Sequence, residues 1–225
     1  FGNADVAQYA DDPVVDRFSR CAPEIMYWPW RSAMFKTLYR NDGTYRSLGV
    51  HRPRNPDPDR LDLARWFDGN GRDLPEEFRR RRIFSPFGRP NYRLAQLNHY
   101  PLGSKACFLL KRDRGRAVHS DHDLGMDYWV ERNFNTDTDL SIKRYADRSH
   151  ARREELLQDP ELSRLHARAV AWRHMRFETL MEQEDYRALY GRLLGTPGSV
   201  PLGEAEARVL LHHAMKARAA QEGTD

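Results

Sequence analysis

Histidine and aspartate crowd most closely at His119-Ser120-Asp121-His122-Asp123, a run that suggests a metal-dependent hydrolase. No second set of His and Asp at helical spacing completes four or more ligands, so a loop leading into an Asp-capped helix is the simpler reading. Gly103-Ser104-Lys105 lacks an upstream glycine at P-loop spacing and is not a phosphate cradle of that kind. Cations gather in Arg79-Arg80-Arg81-Arg82 and Lys111-Arg112-Asp113-Arg114-Gly115-Arg116. Such patches receive the phosphates of a nucleic acid, a lipid head group or a sugar nucleotide, and a solvated arginine-rich surface is the plainer alternative. A polar tip, Asn98-His99-Tyr100, stands between them.

The elements that position these groups change character along the chain. Up to about residue 100, Pro, Gly and aromatic residues alternate with β-like runs at Phe35 to Tyr39, Ser47 to His51 and Tyr92 to Tyr100. Arg54-Asn55-Pro56-Asp57-Pro58-Asp59 cannot sustain a helix, and Asp68-Gly69-Asn70-Gly71 is a reversal signal. From Ser104 onward the apolar residues recur at helical spacing. A helix is expected after Asp159, with Pro160 in its first turn, followed by another from about Gln183 to Leu194 and a last one near Gly203 to Gln221. Trp172, Met175 and Leu180 form a stripe expected in the core.

The 37 basic residues exceed the 33 acidic ones by only four, so clustering matters more than net charge. No apolar run approaches the roughly 18 residues of a membrane helix. Cys21 and Cys107 lack CxxC spacing, which is simplest for a reducing, cytoplasmic setting. The Phe1-Gly2 opening reads as a cut through a longer protein.

Five blocks in order carry a family resemblance. They are Phe1-Gly2 with Asp16-Arg17-Phe18; Phe35-Lys36-Thr37-Leu38-Tyr39-Arg40; Gly49-Val50-His51-Arg52-Pro53; Asn98-His99-Tyr100 with Ser104-Lys105, Phe108 and Lys111 to Arg116; and Asp127-Tyr128-Trp129 with Asp139-Leu140-Ser141-Ile142. Together they resemble the late part of a family 2 glycosyltransferase catalytic domain, over roughly residues 1 to 194. The resemblance implies an α/β protein with a partial GT-A fold, its late strands in 1–145 followed by a helical carboxy-terminal extension in 146–225. It also implies a nucleotide-sugar donor, a glycan, lipid or protein acceptor, and a divalent metal, Mn2+ or Mg2+, held mostly by an Asp-x-Asp motif upstream of residue 1. Asp121-His122-Asp123 and Asp137-Thr138-Asp139 are set aside as replacements because they fall in the helical half.

Sugar transfer from a nucleotide diphosphate builds negative charge on the leaving phosphate, which cations or a metal must meet. Lys36, Arg40, His51, Lys111 and Arg114 lie inside the blocks and are the candidates for that duty or for acceptor binding, against surface ion pairs or packed stems. His99 is the candidate metal ligand, with a structural histidine at a strand end as the alternative. Asp139 is a weak candidate for the base, with a helix cap as the alternative. The rival class is a basic module binding nucleic acid or another polyanion, with Phe84, Phe87 and Tyr92 stacking beside Arg79 to Arg82; no recognised nucleic-acid motif is present, so no nucleic-acid partner is expected.

Overall fold

A computed structural model describes residues 1–2, 13–86, 88–115 and 124–222. In chain order the elements are α1 (Val14–Arg17), β1 (Arg20–Cys21), β2 (Tyr45–Ser47), β3 (Arg54–Pro56), α2 (Glu77–Arg80), α3 (Lys105–Arg114), α4 (Met126–Val130), β4 (Asp137–Thr138), α5 (Ala146–Leu157), α6 (Pro160–Met181), α7 (Glu184–Gly195) and α8 (Glu204–Glu222). The described residues are mixed α/β, 49% helix against 8% strand, and their main core is helical. Two compact units emerge, Phe1–Ala22 with His99–Val200, and Pro23–Asn98 with Pro201–Asp225.

The first unit is built on α3. Ser104 caps its start by accepting the Cys107 N–H at 3.1 Å. Gly115, at φ 75°, ends it, and Lys111, Arg112 and Arg114 in the last turn face the negative end of the helix dipole. Phe108 and Leu109 on α3, Trp129 on α4, Phe177 and Leu180 on α6, and Leu189 and Leu193 on α7 form one buried cluster. Each such side chain contributes about 1.5–3 kcal/mol by leaving water. This cluster draws on both sides of the 145/146 position. Asp159 accepts the Glu161 and Leu162 N–H groups at 2.8 and 3.0 Å, and Pro160 opens α6.

Only part of the expected core stripe is inside. Leu180 is buried, but Trp172 is 55% and Met175 63% exposed. Phe177 and Leu180 belong to the cluster with α3 and α7, whereas Leu162, Leu165 and Trp172 are exposed.

Neither sheet has more than two strands. β1 pairs antiparallel with β4, Cys21 opposite Asp137, in the first unit, and β2 pairs antiparallel with β3, Ser47 opposite Arg54, in the second. Asp137-Thr138, which the sequence places in the helical half, is strand. The runs Phe35 to Tyr39 and Tyr92 to Tyr100 are not strands, and of Ser47 to His51 only Ser47 is. Their backbone groups are met otherwise. Side chains of Lys36, Thr37 and His51 bond carbonyls across the two segments, and the Gly69 carbonyl accepts both the Leu94 and Ala95 N–H groups.

In the second unit an aromatic cluster replaces an aliphatic core. Phe35 stacks on Phe78 at 5.8 Å, Tyr45 meets Trp66 edge-on at 6.1 Å, and the Trp66 indole N–H donates to the Tyr45 hydroxyl at 2.8 Å. The expected reversal at Asp68 to Gly71 is present, with Gly71 at φ 83°, a conformation that favours glycine.

Candidate functional site

Several blocks of the resemblance meet in the first unit. The Phe1 backbone nitrogen donates to the His99 carbonyl at 2.8 Å, and the Phe1 ring stacks on Tyr100 at 4.6 Å. The Gly2 N–H donates to the Arg20 carbonyl at 3.2 Å. A Cβ on Gly2 would sit 2.4 Å from the Phe134 carbonyl oxygen, so the backbones approach as only glycine permits. The His99 side chain is exposed and follows an irregular segment, so the expected strand ending in an Asn-His-Tyr tip is absent.

Lys111 is the best-held candidate. Its ammonium donates to the Pro101 carbonyl at 2.6 Å and to the Tyr128 hydroxyl at 2.8 Å, and lies 4.5 Å from the centre of the Tyr128 ring. Arg132 brings a second guanidinium, its carbon 3.7 Å from the same ring centre, and pairs with the neighbouring Glu131 carboxylate at 3.3 Å. An ammonium has three N–H groups, so Lys111 keeps one to offer. Sequence reasoning passed over Arg132, which the turn after α4, with its N–H on the Trp129 carbonyl, folds back onto Tyr128. Arg114, near the end of α3, is exposed. The half-buried Lys111, Tyr128 and Arg132 set is chemically suited to hold an anionic oxygen.

Asp139 lies at the end of β4. Its N–H donates to the Ser19 carbonyl at 2.9 Å, and its carboxylate accepts the Ser141 N–H at 2.7 Å, which turns the chain into the 3₁₀ segment Ser141–Tyr145. The bond is an i to i+2 turn contact, and the N-cap of the 3₁₀ segment is Leu140, which makes no side-chain capping bond. Nearby, burial pushes the Cys21 thiol above its ordinary range, with Asp139 and Asp137 adding in the same direction.

Lys36, Arg40 and His51 belong to the second unit. The Lys36 ammonium donates to the Val50 carbonyl at 2.6 Å, Thr37 donates to the His51 carbonyl at 3.1 Å, and His51 Nδ1 lies 2.9 Å from the Phe35 carbonyl. Lys36 and His51 thus tie two extended segments together, while Arg40 is exposed. Arg52, beside His51, is buried without a carboxylate among its hydrogen-bond partners. Its guanidinium bonds the Arg79 and Arg82 carbonyls at 2.7 and 3.2 Å and lies 4.6 Å from the Trp66 ring centre. It satisfies the carbonyl end of α2.

Among the described residues, no group of three or more His, Cys, Asp or Glu could hold a metal. His99 therefore has no ligand set there. The His119 to Asp123 run lies outside the described residues, as does Phe87. No described helix is long and apolar enough to cross a membrane. Comparison with known proteins adds no family: no family model, no curated protein and no solved structure matches the chain.

Proposed function

We propose that the chain is part of a glycosyltransferase of the GT-A class that moves a sugar from a nucleotide diphosphate to a glycan, lipid or protein acceptor, acting on the cytoplasmic side in surface polysaccharide synthesis. The observation that carries this reading is the union of two of its sequence blocks at one place: Lys111 of one bonds Tyr128 of the other, with Arg132 on the same ring. The Lys111 ammonium beside a phenol suits the growing charge of a diphosphate leaving group, with Arg132 next to it shared with Glu131. The metal, where it participates, would supply further charge neutralisation from residues outside those described.

The test is nucleotide release by the full-length natural protein from UDP- and GDP-sugars with Mn2+ present. Release is expected, and Lys111→Met should lower it by about a hundredfold, the scale of removing one donor to a developing anion. Wild-type release with either nucleotide absent, or a Lys111→Met variant as active as wild type and equally folded, would contradict the reading.

One observation favours the polyanion-binding reading instead: Arg80, Arg81 and Arg82 are all exposed. Phe84, however, is half-buried and bridges Met34, so that among the described residues of the expected stacking surface Tyr92 is the exposed aromatic. Nucleic-acid affinity falling steeply with salt, without nucleotide-sugar turnover, would select that reading.

A further inference from the structure

The two extended segments of the second unit alternate strictly between inner and outer side chains. In Phe35 to Arg40 the residues Phe35, Thr37 and Tyr39 are partly buried, while Lys36, Leu38 and Arg40 are exposed. In Tyr45 to His51 the inner residues are Tyr45, Ser47 and His51, and Arg46, Leu48 and Val50 are exposed. The inner rows are fixed. Tyr39 meets Tyr45 edge-on at 6.3 Å, and Thr37 and His51 tie the segments at the distances given above. The outer rows share one character, aliphatic residues between cations.

Those aliphatic side chains are not shallowly exposed. Leu38 is 97%, Leu48 80% and Val50 60% accessible, so each projects from the surface. The Lys36 ammonium sits on the Val50 carbonyl, which places a cation beside the apolar tip. From residue 35 to 54 there are five Lys or Arg, of which Arg52 is buried and Arg46 pairs with Asp57 at 3.0 Å, so Lys36, Arg40 and Arg54 are the cations left to the outer face; the one acid, Asp42, accepts the Thr44 N–H at 3.0 Å. Between residues 38 and 50 three aliphatic side chains project outward among cations. A surface with an anionic layer over a hydrocarbon interior matches both.

We infer that the outer face of residues 36–54 docks on an anionic lipid bilayer, with Leu38, Leu48 and Val50 entering the head-group boundary and Lys36, Arg40 and Arg54 meeting the lipid phosphates. The association is peripheral. It stands apart from sugar transfer, since neither the Lys111 set nor a nucleotide takes part in it.

Vesicle sedimentation of the chain tests it, using vesicles of equal parts phosphatidylglycerol and phosphatidylcholine beside phosphatidylcholine alone. The chain should pellet with the anionic vesicles and much less with the neutral ones, and raised salt should weaken the binding. Leu38→Ser, Leu48→Ser and Val50→Ser together should reduce partitioning at least about tenfold. Arg40→Gln with Arg54→Gln should reduce it about fivefold per cation. All five side chains point outward, so circular dichroism should match wild type, and the two variants report independently should one misfold. Equal pelleting with neutral vesicles, binding unchanged in a folded variant, or capture of RNA with no vesicle binding would overturn the inference.

Discussion

Asp68 illustrates how much a single side chain organises here. Its carboxylate accepts the Asn70 and Arg72 N–H groups at 2.9 and 3.0 Å and the Arg72 guanidinium at 2.7 Å. Burial works to raise its pKa, yet these donors outweigh burial and hold it below the usual carboxylate range. Asp68→Ala should cost about 2–3 kcal/mol, by loss of several hydrogen bonds to one charged group, read from the denaturation midpoint. Asp113 is likewise held low, first by its hydrogen bond from Arg176. In the unfolded chain the same carboxyl takes up its proton near pH 4. The stability it contributes is therefore complete above that pH and is lost as pH falls through the lower folded value. Asp113→Asn should flatten the acid limb of a stability profile below about pH 4, and an unchanged limb would remove that linkage. The Asp68 turn was legible in the sequence because donors and acceptor lie within five residues. The pair of Asp113 with Arg176, 63 residues apart, left no local sign.

At the scale of elements, the two faces of α6 give opposite expectations. Trp172→Ala should change stability by no more than about 0.5 kcal/mol, since the side chain is exposed. Phe177→Ala should cost about 3–5 kcal/mol, because its ring sits in the cluster and meets Tyr190 at 5.5 Å. Reversal of that order in thermal unfolding would mean the outer stripe is covered in solution. At the start of the same helix, Asp159→Ala should cost about 1 kcal/mol by releasing two N–H groups. The later helices were readable because capping is local, as Asp159-Pro160 shows. The strands were not. Period-two alternation in Phe35 to Arg40 was real, but it reported an extended segment held by side-chain bonds, and alternation alone does not say which partner takes the backbone groups. α5, rich in arginine and without a buried residue, lacked an apolar stripe to announce it.

For the whole molecule, residues expected to act together are shared between two units. Lys36, Arg40 and His51 lie in one, and His99, Lys111, Arg114 and Asp139 in the other. Spacing along the chain carried no information about this division. The Lys111 part of the candidate site was legible as a basic helix end, while its completion by Tyr128 and Arg132 depended on how α4 packs against the same core as α3. The most direct measurement is calorimetric titration of the full-length protein, wild type and Lys111→Met, with UDP and GDP in the presence and absence of Mn2+. The proposed function predicts nucleotide binding that requires the metal and weakens at least about tenfold in the variant. Absence of binding by the wild-type protein to either nucleotide would contradict it.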